Sequence, residues 1–256
     1  MAVEGRAVGM RDSPQGKQPM VTTGTVEAVS EEDGAGYAGV LLAAAREQGL
    51  RKTERTRLGL LAAIAAALNA GTPRGALKVA DVTRAAGVAH GTFYRYFDDM
   101  PGATEALVEA FAGHVRERLS GARQGETGSR ERVSGTTLAY ARLFRDNAPL
   151  MRCLIGLDGE ESAFARSYRE LNRAWYGRMA AAIARRRARG EDGAQADPQS
   201  LLPTAYALGG MIDEFLTQVY LRRDPALAHL AADEEAIADL LTDLWWRGAY
   251  GVVVER

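Results

Sequence analysis

The chain has a single cysteine, Cys153, among 256 residues, which excludes an internal disulfide framework. Without a resolving partner, that thiol reads as a small buried side chain rather than a redox sensor. Histidine is scarce as well. His90, His114 and His229 stand on separate segments, with no H-E-x-x-H spacing and no cysteine beside them, so the common zinc sets are excluded. No Gly-x-Ser-x-Gly elbow, phosphate loop or dinucleotide fingerprint occurs. The acidic cluster Asp158-Gly159-Glu160-Glu161 lacks a matching ligand set and reads as a solvated helix start. Long apolar runs are also missing. Residues 1–20 contain none of the kind a secretory leader needs, and the longest apolar window, residues 58–68, is too short for a bilayer and reads as a buried helix. These absences point to a cytoplasmic protein without cofactor, metal or membrane association, and not to an enzyme.

What is present is enough to build a core. Hydrophobic residues make up 46% of the sequence, sufficient for one large domain or two modest ones. The net charge is −1, but it is unevenly spread. Residues 51–97 hold Arg51, Lys52, Arg55, Arg57, Arg74, Lys78, Arg84 and Arg95 against Glu54 and Asp81, a local +6 that leaves the other segments at −7. A basic segment inside an acidic chain is the footprint of a module that touches phosphate while the remainder does something else.

Within that segment lies KVADVTRAAGVAHGTFYRYF, residues 78–97. Val79, Val82 and Ala86 share one face of a first helical piece, Gly87 supplies a left-handed residue to end it, and Val88 plugs the corner. A second, shorter piece follows at once, with Phe93 and Phe97 as core anchors. This is the pattern of a helix-turn-helix. His90, Gly91, Thr92, Tyr94, Arg95 and Tyr96 are then left toward the outside or the flanks. Aromatics interleaved with an arginine suit a helix laid in a major groove, with hydroxyls and guanidinium reaching phosphates and base edges. Arg55 and Lys78 add cations for the backbone.

The run AAGVAHGTFYRYF resembles the turn and recognition helix of the TetR-type one-component regulators. The likeness covers roughly residues 51–119 at the level of motif, and the remainder in helical architecture and length. It implies an all-α protein in which a three-helix DNA-binding domain precedes a helical ligand-binding and dimerisation domain. Two positions depart from the pattern. Ala89 stands where the family commonly has a capping serine, and Met100 where a lysine commonly holds the DNA backbone. A lost N-cap hydroxyl costs about 1 kcal/mol, and a lost phosphate contact lowers the salt slope by roughly one unit.

Taken in order, residues 1–36 have no period that could bury a face and read as a disordered extension. Residues 37–100 form the DNA-binding domain. Its leading segment, residues 37–48, is a short amphipathic helix, either docked on the next one or frayed. Residues 51–70 then carry Leu61, Ile64 and Leu68 on one stripe and stop at Gly71-Thr72-Pro73. Residues 101–256 form the body. Asp99 is the candidate cap of a helix over residues 102–119, with Pro101 in its first turn; the family resemblance implies that this helix joins head to body and transmits the ligand signal. Residues 121–134 make a polar, glycine-rich break. Further helices are expected over residues 132–146, 150–157, 162–189, 201–221 and 234–250. The arginine run 185–189 suits a helix C-terminus better than a second DNA contact. Residues 190–198 read as a loop.

A ligand in the body would lie between helices, lined by large and varied side chains. The candidates are Phe144, Met151, Leu154, Phe164, Tyr168, Trp175, Met179, Tyr206, Met211 and Phe215, which suit a small apolar or amphipathic effector. The resemblance also implies a homodimer built from the last two helices, for which Leu208, Ile212, Phe215, Val219, Leu240, Leu244, Trp245 and Gly248 are the expected contacts; Gly209-Gly210 would allow close helix approach. A two-fold dimer is what a palindromic double-stranded operator requires. The expected function is a ligand-released repressor. The alternative is a helical small-molecule-binding or adaptor protein that has weakened or lost DNA binding, for which Ala89 and Met100 speak.

Overall fold

The computed structural model describes residues 36–122, 129–155, 163–189 and 197–251; the side chains of residues 163–171 lie outside that description. The expected extension over residues 1–36, nearly all of it, and the acidic cluster at 158–161 also fall outside, as do most of the 190–198 loop and the middle of the 121–134 break. Every regular element among the described residues is helical.

The first helices are set by local chemistry. Helix α1 spans Tyr37–Ala45 and α2 spans Lys52–Asn69. At the start of α2 the Glu54 carboxylate accepts the Arg51 N–H at 2.9 Å, satisfying one of the orphan donors of the first turn. Gly71, at φ 89°, takes the left-handed turn that ends it. Helix α3, Val79–Ala85, and α4, His90–Phe93, are joined through Gly87 at φ 66°. Only one turn of α4 is regular, and residues 94–96 continue as a turn.

Helix α5, Met100–Gly121, begins where Asp99 accepts the Gly102 N–H at 2.7 Å, with Pro101 in the first turn as the sequence predicts. Helix α6, Arg130–Asp146, is capped by Ser129, and Asn147 turns the chain into α7, Ala148–Leu154. Then come α8, Ala163–Arg187, and α9, Leu202–Leu216. The continuous helix expected over 201–221 instead widens into a π-helical stretch, Thr217–Arg222, closed by Arg223 in the left-handed region at φ 52°. Helix α10, Glu234–Tyr250, follows, with Asp233 as its cap. It lies along α6, where Arg142 pairs with Glu234 and Glu235, and Arg145 with Asp146 and Glu234.

The leading helix is docked. Tyr37, Ala38 and Leu41 are buried against α2, and the Tyr37 N–H donates to Asn147 Oδ1 at 2.6 Å. That bond ties the first residue of α1 to the α6–α7 junction. The Tyr37 ring lies 5.2 Å from Phe111 and 5.0 Å from His114, both on α5. One apolar cluster therefore runs from Tyr37 and Leu60 through Phe93, Leu107 and Phe111 to Phe144, Met151, Leu216 and Leu241. The core crosses residue 100 without interruption. A second cluster joins Tyr176 and Ile183 on α8, Leu201 just before α9, Leu208 on α9 and Trp245 on α10.

Candidate DNA-binding face and effector cavity

The recognition segment is held by two phenyl rings. Phe93 is fully buried and Phe97 nearly so, with their centroids 5.5 Å apart, one turn along the chain. That anchoring turns the intervening residues outward. His90, Gly91 and Arg95 are exposed, Tyr94 is 54% exposed, and Thr92 is half-buried. The His90 and Tyr94 rings lie 5.7 Å apart and form one aromatic edge. Tyr96 departs from expectation: it is half-buried and packs against the core, which ties up much of its ring.

The cations around this face divide in two. Arg84 is paired with Asp81 at 2.8 Å, and Arg57 lies over the Phe97 ring at 5.6 Å. Arg55, Lys78 and Arg95 are exposed, and among the described residues they make no ion pair. Ala89 occupies the N-cap of α4 in extended geometry, with no side-chain cap, and Met100 is half-buried against the core.

The second site is a cavity of about 520 Å³ bounded by α5, α6, α8, α9 and α10. Of the ten sequence candidates, Trp175 and Met179 line it. Phe144, Met151 and Leu154 do not: each is buried to 2% exposure or less in the main core, where its whole surface is consumed by packing. Tyr206 points outward at 42% exposure, its ring lying 4.2 Å from that of Tyr176. Met211 and Phe215 are half-buried against the core, off the cavity wall. The side chains of Phe164 and Tyr168 lie outside the described residues.

Other lining residues were not anticipated. Tyr140 on α6 and Asp213 on α9 face the cavity, and the Tyr140 hydroxyl donates to Asp213 Oδ1 at 2.7 Å. Burial lifts the Asp213 carboxyl to about 6, against the opposing effect of the Tyr140 bond. The signal for this pair is weak: Asp213 lies off the unbroken Leu208, Ile212 and Phe215 stripe, beside Ile212, and a search for large apolar side chains passes over it. Tyr176, Ile212, Trp245 and Tyr250 complete much of the apolar wall. Among the described residues the buried Tyr250 hydroxyl has no hydrogen-bond partner. Burial raises its pKa, with Arg186 and Arg187 opposing.

The expected dimer contacts also separate by exposure. Leu208, Val219 and Trp245 are buried within the protomer, Ile212 lies on the cavity wall, and Phe215 packs on the core. Leu240, Leu244 and Gly248 are exposed, four residues apart along α10, with Leu240 at 42% and Leu244 at 43% exposure. On α9, Pro203, Tyr206, Ala207 and Gly210 form an exposed row with the same helical spacing. The glycine pair has two different settings. A Cβ at Gly209 would run into the Tyr176 ring, whereas one at Gly210 would meet open space.

A helix-turn-helix head joined by one long helix to an all-helical body with an internal cavity is the architecture of the TetR-type regulators, and the chain has that fold. It is similar to a TetR-family transcriptional regulator from Rhodococcus sp., at 23% identity and TM-score 0.54 over 74% of this chain and 95% of that one. It is also similar to the transcriptional regulator FadR from Bacillus subtilis in complex with stearoyl-CoA, at 16% identity and TM-score 0.54 over 77% of this chain and 99% of that one. No family model matches the sequence, and no curated protein does.

Proposed function

We propose that this protein is a sequence-specific DNA-binding regulator that acts as a homodimer on a palindromic operator and is released by a small apolar or amphipathic effector. The observation that carries the reading is the outward set His90, Gly91, Thr92, Tyr94 and Arg95, fixed from below by Phe93 and Phe97 and flanked by the unpaired cations Arg55 and Lys78. Tyr94 and the flanking cations suit phosphate, and Thr92 and Arg95 suit base edges. His90 serves at the flank. The exposed rows on α9 and α10 are the surface that a second copy would cover, with Leu240, Leu244 and Gly248 as its contacts on α10.

Helix α5 supplies the connection. Its first half places Ala103 and Leu107 in the core beneath the head, and its second half places Ala112, Val115 and Leu119 on the cavity wall. At 22 residues it is about 33 Å long. A ligand that displaces its far half shifts the spacing of the two recognition helices in the dimer and lowers affinity for two fixed half-sites. By linkage, the operator must weaken effector binding by the same factor. The stearoyl-CoA held by FadR is an amphipathic molecule carried by this fold, and it supports an effector of that class.

The test is binding of the purified protein to genomic fragments at two salt concentrations, with sequencing of what is retained. A short palindrome recovered at both salts is the expected result. Recovery of bulk DNA at low salt alone would favour the adaptor reading, which rests on uncapped Ala89 and on Met100 turned into the core. Absence of turnover for any ligand that binds is the corresponding expectation against an enzyme.

A further inference from the structure

Among the described residues the cavity wall carries one acidic group, Asp213. Among the described residues Asp213 has a single polar partner, the Tyr140 hydroxyl at 2.7 Å, and no cation pairs with it. A desolvated carboxylate with one neutral hydrogen bond is poorly compensated. Around it the wall is aromatic and aliphatic: Trp175, Tyr176, Ile212 and Trp245. The arginines that also border the cavity differ in kind. Arg116, Arg178 and Arg185 are exposed, and Arg178 already lies over the Trp175 ring at 5.8 Å; Arg132 is half-buried and has a partner of its own other than Asp213. The charge of the three exposed arginines is screened by water and salt and Arg132 is held by its own partner, whereas the charge of Asp213 acts across a low-dielectric space. The interior charge decides which ligand the cavity prefers.

We propose that the effector is an amphipathic organic cation whose protonated nitrogen docks on the Asp213 carboxylate while its apolar body lies along Trp175, Ile212 and Trp245. This rests on the reading of the cavity as the effector site. The ligand supplies the countercharge that Asp213 lacks among the described residues, the Tyr140 hydroxyl holds the carboxylate toward it, and the indole rings add cation–π attraction beside the nitrogen.

The test uses three probes of one shape, 4-phenylbutylamine, 4-phenylbutanol and 4-phenylbutyrate, titrated calorimetrically into the full-length chain and into D213N. The amine should bind about tenfold or more tighter than the alcohol, the size of one charge-assisted hydrogen bond, and the carboxylate should bind weakest. In D213N the amine and alcohol should come within about threefold of each other, with the helical circular dichroism unchanged. Tyr140→Phe, which keeps the carboxylate, should retain the amine preference. Equal or tighter binding of the alcohol or the carboxylate, no binding by any of the three, or an amine preference that survives in D213N overturns the proposal. Operator binding is measured in parallel. Amine selectivity in a protein that retains no DNA sequence removes the regulator reading alone, and a specific operator with no amine selectivity removes this one alone.

Discussion

Asn147→Ala tests whether the leading helix is a working part of the fold. Asn147 is 3% exposed at the turn between α6 and α7. Its Oδ1 accepts the Tyr37 N–H at 2.6 Å, and its amide donates to the Leu143 carbonyl at 3.2 Å. The Tyr37 N–H is one of the orphan donors of the first turn of α1, here capped from a different helix. Water does not readily replace the lost acceptor, because Tyr37 is 5% exposed and its ring is packed on Phe111 and His114. Leaving a buried donor unsatisfied costs about 1–3 kcal/mol, so the variant should lose about 2 kcal/mol of stability in urea unfolding. Gly36→Ala approaches the same contact by another route. A Cβ there would lie 2.9 Å from the Asp146 carbonyl and 3.1 Å from Asn147 Oδ1, so either α1 or the α6–α7 turn must shift. In both variants α1 should loosen enough for trypsin to cleave after Arg46 faster than in the parent. An unfolding midpoint unchanged in both variants, with cleavage at Arg46 no faster, would refute the docking.

Three other outcomes follow from the two sites and the proposed dimer surface. Arg95→Ala should weaken operator binding by roughly 1–3 kcal/mol if the guanidinium reads a base edge; an equal loss on unrelated DNA in gel-shift titrations would mark it as a phosphate contact. Asp213 has a folded pKa of about 6 against an ordinary 3.8, so the folded state holds the proton more tightly than the unfolded chain. Its destabilising effect is absent below the unfolded value, grows as pH rises between the two values and is complete above about 6, on the order of 3 kcal/mol. D213N should therefore match the parent in unfolding free energy at acid pH and exceed it at neutral pH; a constant difference across that range would contradict the assignment. On the proposed dimer, Leu244→Glu should give a monomer in sedimentation velocity and sharply reduce operator affinity, since a carboxylate on a face that a second copy covers would have no partner. A variant that stays dimeric would place the interface elsewhere.

Much of the head was legible in the residues because its signals are local. Gly87, Phe93, Phe97, Asp99 and Pro101 each act within a turn or two of the chain, through a left-handed residue, an anchoring ring or a cap, and each stands where its type predicts. The cavity was legible only in part. Phe144 and Trp175 are alike as large apolar side chains on helical stripes, yet one is consumed by the core and the other faces the cavity, and that difference depends on the neighbouring helices. Periodicity identifies a buried stripe without naming what covers it. The same ambiguity moved Leu208 and Trp245 from the expected interface into the protomer, while Leu240 and Leu244 remained on the outer face of α10. The docking of α1 on Asn147 spans 110 positions and carries no local mark at all.

That long-range contact bears on how an effector could act. With α5 alone between head and body, the head could pivot freely, and displacement of the cavity wall would be lost as bending near residue 100. The core does not allow this. Helix α2 packs on both α5 and α7, and α1 joins α2 to α5 and to the α6–α7 turn. Head and body thus share a second connection, and close-packed interiors transmit displacement rather than absorb it. On the proposed reading, a shift of α5 at Val115 or Leu119 must slide α2 against α7, carrying α3 and α4 with it. Loosening α1 through Asn147→Ala should then leave effector affinity near that of the parent while reducing the factor by which effector weakens operator binding. If that factor is unchanged in a variant whose α1 has demonstrably loosened, coupling does not pass through α1 and runs through α5 or the direct packing of α2 on α7.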